Sequence, residues 1–296
     1  MRHLYECPMR WADLDMLGHV NNVVYVDYLQ EARVDMLRTH ARSPQTQGLA
    51  EGVVVASHQV TYVAPLLFDF TPVHVESWVT DIRAASFTMA YEIFRDQPDG
   101  TRKVFLRAST VLAPYVFATE SPRRLKPEEK ANLQPYLEAY PEEWSPKPLA
   151  LGEPKRLEEG LFPLFVRFSD VDAYGHVNNV KYFEYFQESR LALMKRLSSH
   201  NDPSTGSGHR INAWPSVVVA QTDVTYHAPV LARSEPYDVW SYVSRLGTTS
   251  MTIESEIADG DLRLARGQVT LVFYDLESGK AIEPSPQVRA AVESVL

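Results

Sequence analysis

The stretch DLDMLGHVNN occupies residues 13–22, and a near copy, DVDAYGHVNN, occupies residues 170–179. Neither string suits a hydrophobic core, since each carries two acids, a glycine, a histidine and an Asn-Asn pair. Their recurrence points to an internal repeat, and the flanks bear it out. Residues 10–37 and 167–194 agree at 14 of 28 positions, among them Tyr25 with Tyr182, Tyr28 with Tyr185, Gln30 with Gln187, Glu31 with Glu188 and Arg33 with Arg190. Further on, VVVASHQVTYVAPL (53–66) answers VVVAQTDVTYHAPV (217–230), and residues 71–96 answer the stretch from Glu235 to Asp259. Landmarks that recur in one order mark the chain as a duplication.

The spacing inside each copy predicts its elements. YECPMRWA and FPLFVRFS read as short strands that lead into the motif. After the Asn pair, apolar residues at Tyr25, Tyr28, Leu29, Ala32 and Met36 fall on one helical face, and Tyr182, Tyr185, Phe186, Ser189 and Leu193 keep most of it. The helix is predicted to reach about residue 40 in the first copy and 199 in the second, where NDPSTGSG breaks the pattern. β-rich runs follow at 53–64, 72–83, 86–96 and 102–115, with partners at 216–228, 236–246, 249–258 and 262–275; QPDGTR and ADGDLR supply Asp-Gly turns. One helix on a broad antiparallel sheet is an α+β solution. Val26, Val34 and Leu37 widen the apolar surface of the first helix, so the sheet is expected to wrap it. The Pro-, Glu- and Lys-rich run between the copies reads as linker, with room for a short helix from Pro127. The expected domains are therefore 1–118 and 159–296, the latter with a short C-terminal tail, joined by a linker over 119–158.

Composition narrows the function. A chain 45% hydrophobic and 23% charged is globular rather than disordered. A formal net charge of −9 argues against general binding to nucleic acid or anionic membranes. Cys7, the only cysteine, excludes an intrachain disulfide and a cysteine-based zinc site, and reads as a small core residue. No apolar run resembles a signal peptide or a membrane span, so the expected setting is cytoplasmic.

With these residues in place, the pattern of strand, DxDxxGHVNNxxYxxYxxxxR helix and four strands resembles the hotdog-fold thioesterases of the 4-hydroxybenzoyl-CoA thioesterase type. Two such units in tandem also resemble the double-hotdog acyl-acyl-carrier-protein thioesterases. The resemblance covers the chain apart from the linker and the C-terminal tail. It implies two hotdog domains forming a pseudo-dimer within one chain, and hydrolysis of an acyl-CoA or acyl-carrier-protein thioester without a cofactor. It implies the second acid of DxD, Asp15 and Asp172, as general base or nucleophile, and His19 and His176 as helpers that orient substrate or water. The N–H groups just after Gly18 and Gly175 are expected to polarise the thioester oxygen. Strand residues such as His58, Gln59, Thr61, Gln221, Asp223 and Thr225 are further candidates to complete a site. The pattern departs from the carrier-protein enzymes at Leu17 and Tyr174, where those carry Asn, so an Asn–His–Asp arrangement does not transfer.

Physical chemistry points to the same place. Asn is a preferred N-cap, and a helix N-terminus offers unpaired N–H groups and partial positive charge close to the acid and the histidine. Thioester hydrolysis needs a base or nucleophile plus donors for the developing oxyanion. Asn21, Asn22, Asn178, Asn179, Tyr25 and Tyr182 are the substrate-binding candidates, although caps for the Asn pairs and core for the tyrosines are the plainer roles. Asp13 and Asp170 read as turn or capping acids. Met16-Leu17 against Ala173-Tyr174 predicts two pockets of different bulk. Arg83, Arg107, Arg245 and Arg266 are candidate phosphate contacts. Two other functions stay open, an enoyl-thioester hydratase or dehydratase and a non-catalytic acyl-CoA-binding module. No metal is expected, the DxDxxxH spacing being the one pattern that admits an ion, and homo-oligomerisation of the tandem chain is left open.

Overall fold

A computed structural model describes residues 1–15, 18–41, 49, 52–146, 151–199 and 214–296. The chain divides into two compact units, Met1–Pro148 and Leu149–Leu296. In the first, β1 (His3–Cys7) leads through a 3-10 turn (Trp11–Asp13) to α1 (Val24–His40). Then come β2 (Val53–Tyr62), β3 (Val73–Ile82), β4 (Phe87–Asp96), β5 (Arg102–Val116), the short β6 (Ser121–Pro122) and α2 (Pro127–Leu133). The strands pair antiparallel in the order β1-β3-β4-β5-β2, with β6 on the end of β5.

The second unit repeats this plan with β7 (Leu161–Leu164), a 3-10 turn (Phe168–Asp170), α3 (Lys181–Ser199), β8 (Ser216–Tyr226), β9 (Tyr237–Leu246), β10 (Ser250–Asp259), β11 (Leu262–Asp275), β12 (Lys280–Ala281) and α4 (Pro286–Glu293). Its antiparallel order is β7-β9-β10-β11-β8, with β12 on β11. Even the irregularities recur. The ladder slips between Val55 and Ser57 and again opposite Val219 and Gln221, leaving Ala56 and Ala220 as bulged residues at matching positions.

Each long helix is buried on most sides, as its sequence predicts. Tyr25, Val26, Tyr28, Leu29, Ala32, Arg33, Met36 and Leu37 are buried along α1, and only Glu31, Arg38 and Thr39 are well exposed. α1 packs on β1 and β3, and α3 on β7 and β9. The two cores are tailored separately. In the second unit, a Cβ on Gly267 would lie 2.8 Å from the ring of Phe186; the first unit has Ala108 and the slimmer Leu29 at these positions.

The ends of the units carry more structure than a linker and a tail. α2 begins at Pro127, where Glu129 accepts from the N–H of Lys126 at 2.8 Å, and it packs on β3 beside the buried Leu133 and Tyr136. Past it, the N–H of Glu138 donates to the Val79 carbonyl at 2.9 Å. In the second unit α4 is capped by Ser285 and inserts Val288 and Val292 into a core cluster with Leu193, Leu197, Val243 and Phe273. Each unit is thus closed by a short helix at the same point of its plan. Among the described residues, no helix is long and apolar enough to cross a membrane. Cys7 is buried, and burial raises its thiol pKa to about 12.

Candidate active site

The repeated motif folds into a tight hairpin. The N–H of Asp15 donates to the His19 carbonyl at 2.8 Å, that of Gly18 donates to the Asp15 carbonyl at 3.1 Å, and Gly18 takes φ +76°. In the second copy the bonds are 2.8 Å and 3.1 Å between the equivalent atoms of Asp172, His176 and Gly175, and Gly175 takes φ +83°. A three-residue loop whose last member is left-handed is a known hairpin solution, and glycine occupies that position without Cβ strain.

The second acid of DxD sits at the mouth of this hairpin with one oxygen anchored. Oδ1 of Asp172 accepts from the N–H groups of Tyr174 at 2.8 Å and His176 at 3.3 Å, and Oδ1 of Asp15 accepts from the N–H of His19 at 3.2 Å. Oδ2 of Asp172 takes no hydrogen bond from the described residues. Both carboxylates are only half-buried. Their charges help to raise the pKa of the Tyr25 and Tyr182 phenols, that of Tyr182 to about 12, although desolvation is the larger cause. Each carboxylate therefore acts electrostatically on the first turn of its helix, where Tyr25 and Tyr182 are the second residues.

The first acid of DxD does something else. Asp13 is 2% exposed, and its Oδ2 accepts from the N–H of Arg10 at 2.7 Å and from the Tyr28 hydroxyl at 2.6 Å. Asp170 repeats this with Arg167 at 2.9 Å and Tyr185 at 2.8 Å. Desolvation, followed by these bonds, pushes both phenols well above their usual pKa. The main-chain carbonyls of Asp13 and Asp170 accept from Asn21 and Asn178, both at 2.8 Å. This acid is a latch joining turn, motif and helix.

The Asn pairs shape the helix entry without being N-caps. Val23, the residue after the Asn pair, holds the N-cap position of α1, with no side-chain cap. Asn21 closes the turn before it, accepting from Val23 on Oδ1 at 3.2 Å and from Val24 on its carbonyl at 2.9 Å; Asn178 does the same for Val180 and Lys181 at 3.1 and 2.9 Å. The carbonyls of Asn22 and Asn179 accept from Tyr62 and Tyr226, both at 2.8 Å. Tyr25 and Tyr182, expected at the substrate, use their hydroxyls to accept from the N–H groups of Leu66 at 3.1 Å and Val230 at 2.9 Å.

The structure differs from other expectations as well. The N–H groups that follow Gly18 and Gly175 point at the aspartates rather than outward, because the hairpin closes on itself. Arg107 and Arg266 pair with buried Glu92 at 3.0 Å and Glu254 at 2.9 Å, which a buried carboxylate requires, so neither is an open phosphate contact. Arg83 bonds Asp81 at the surface. His58 is buried in the first unit with Nδ1 2.8 Å from Thr110 Oγ1. Met16 and Leu17 lie outside the described residues, so the comparison of bulk rests on Tyr174, 43% exposed.

One group stands apart from the duplication. Asp223 on β8 is buried, its Oδ2 accepts from Gln221 Nε2 at 2.6 Å, and its Oδ1 has no partner among the described residues. Desolvation raises its pKa to about 7, and the first copy carries Gln59 instead. Among the described residues no cluster of His, Cys, Asp and Glu could hold a metal ion.

Comparison with known proteins bears on the fold and the family. An uncharacterised protein, YsmA, of Bacillus subtilis is 32% identical over 122 residues, 40% of this chain and 74% of YsmA. The solved 12:0-ACP thioesterase of Umbellularia californica superposes with a TM-score of 0.69 at 13% identity, covering 91% of this chain and 93% of that one. An acyl-ACP thioesterase of Bacteroides thetaiotaomicron superposes at 0.65, again with 13% identity, over 91% of this chain and 97% of that one. These likenesses show the fold to be α+β, two hotdog units in tandem. The sequence model of the thioesterase-like superfamily matches residues 9–134 and again 166–292, spanning both motifs and most of both units. The chain belongs to the thioesterase-like superfamily, twice over.

Proposed function

We propose that the protein hydrolyses acyl thioesters, acyl-CoA in particular, at two sites centred on Asp15 and Asp172. One observation carries this reading: in both copies a half-buried carboxylate beside the start of a helix has Oδ1 held by main-chain N–H, that of His19 in the first and those of Tyr174 and His176 in the second. An anchored carboxylate has its remaining lone pairs in a fixed direction. In the general-base route, water at Oδ2 gives its proton to the carboxylate as its oxygen attacks the thioester carbon. The C–S bond then breaks, and the leaving thiolate recovers the proton. In the nucleophilic route the carboxylate oxygen attacks the thioester carbon, the C–S bond breaks and the thiolate takes a proton from solvent, and water then opens the resulting anhydride at its aspartyl carbonyl; single turnover in heavy-oxygen water labels the aspartate only in this route. The main-chain N–H groups of Tyr25 and Tyr182, which the turn at each helix entry leaves over, fit the role of oxyanion donors, with the His19 and His176 imidazoles as orienting groups. The free acyl-CoA is favoured over the carrier-protein thioester because a net charge of −9 repels an acidic carrier.

Crotonyl-CoA separates this function from hydration of an enoyl thioester. The expected result is release of free thiol matching the consumption of substrate. Loss of enoyl absorbance with the thioester intact would replace hydrolysis by hydration, and saturable binding with neither change would leave a binding module.

A further inference from the structure

Beyond the hairpins, the middle of α1 carries a buried cation. Arg33 is 5% exposed on the buried side of the helix, and its Nη1 is buried with no hydrogen-bond partner among the described residues. Among those residues it makes no ion pair, whereas Arg95, Arg107 and Arg123 in the same unit are paired with Asp69, Glu92 and Glu129. What Arg33 does bond is a neutral phenol, Tyr91 on β4, itself fully buried. Tyr91 donates to the Met89 sulfur at 3.6 Å and is bonded by Thr110, which lies 2.8 Å from His58 Nδ1. The network is polar and extensive, but none of these partners is a carboxylate. A buried guanidinium without a counter-charge is costly, and the group that fits its planar fork is a carboxylate.

The second copy keeps the arginine, as Arg190, and discards its surroundings. The positions of Tyr91, Thr110 and His58 become Ser255, Val269 and Thr222. Drift at three network positions around a kept arginine is what two units with different ligands would show. Arg33 also lies eight residues beyond Tyr25 on the same helix, roughly 12 Å along its axis from the turn next to Asp15. That is the distance over which an acyl chain would run if its thioester were at the hairpin.

We propose that the first unit selects acyl thioesters whose acyl group ends in a carboxylate, with Arg33 Nη1 and the Tyr91 hydroxyl receiving that end. The proposal rests on the thioesterase reading for the placement of the thioester, and on Arg33 for the rest.

The test uses the Asp172→Asn protein, in which turnover reports the first unit, and matched CoA thioesters: hexanoyl with adipoyl, octanoyl with suberoyl, decanoyl with sebacoyl. At one length or more, the carboxylate-ended member should show at least about a tenfold higher kcat/KM than its plain partner, since a site built to bond a group rejects the analogue lacking it. Arg33→Met should remove that preference and Arg33→Lys should restore part of it, while the Asp15→Asn protein, reporting the second unit, should show none. A smaller preference at every length, or one that survives Arg33→Met, overturns the proposal. Should Arg33→Met fail to fold, calorimetric titration of the Asp15→Asn, Asp172→Asn double variant with the same three matched pairs decides instead. Tighter binding of the carboxylate-ended member by about tenfold at one length or more supports the proposal even if no thioester is ever cleaved, and equal binding at every length ends it.

Discussion

The two acids of DxD look alike in sequence and part ways in structure because of what lies fifteen residues downstream. Asp13 and Asp170 each meet a tyrosine hydroxyl from the helix and are buried as latches; Asp15 and Asp172 anchor one oxygen and stay half-buried. The turn role of the first acid was legible from its type, but its tyrosine partner was not, since that contact exists only once the helix has folded back. The glycine was more legible. Gly175 sits at φ +83° with open space where a Cβ would go, so Gly175→Ala meets backbone strain alone. It should cost about 1–2 kcal/mol in a urea titration and lower kcat at the second site by tilting Asp172. Asp223 was legible as a strand candidate for a site, but its burial was not, because a strand of mixed pattern leaves no periodic trace. Its pKa of about 7 lies above the ordinary carboxylate value, so the folded state holds a proton that the unfolded chain has lost. Below about pH 4 both states are protonated and nothing is lost. As pH rises from there to about 7, stability should fall by on the order of a few kcal/mol, then level off. Asp223→Asn should flatten that slope, and chemical denaturation of both proteins at pH 4 and pH 8 measures it; parallel pH profiles would refute the assignment.

At the scale of elements, strands and helices were legible because their apolar periods are strong, and the duplication let each copy check the other. The expected run 53–64 ends as β2 at Tyr62, and 216–228 as β8 at Tyr226, because Ala64 and Ala228 turn their N–H groups to the carbonyls of Phe105 and Leu264 instead of continuing a ladder. The closing helices were harder. α2 and α4 are short, begin at proline and lie in polar surroundings, so their few apolar residues show no full period; only the folded core reveals that Leu133 and Val288 are buried. Leu133→Ala and Val288→Ala should therefore each destabilise their unit by about 2–4 kcal/mol, the cost of a core cavity rather than of a loosened tail. Thermal unfolding followed by calorimetry would show it, and a change within noise for either variant would mean that its helix is dispensable.

Across the whole molecule, the duplication carries the functional argument. The surroundings of Arg33 and Arg190 have drifted, whereas acid, glycine, histidine and Asn pair stand in both hairpins with matching bonds to within about 0.1 Å, so each copy holds the same anchored carboxylate. How the chain divides was less legible, since proline and charge between the copies look like a linker while residues up to 148 belong to the first unit. The measurement that most directly tests the central claim is thiol release from a responsive acyl-CoA by wild type, Asp15→Asn, Asp172→Asn and the double variant, each shown to be folded. Each single variant should keep the turnover of its intact site, and the double variant should lose at least about a hundredfold. A double variant as active as wild type would show that neither aspartate takes part in the chemistry.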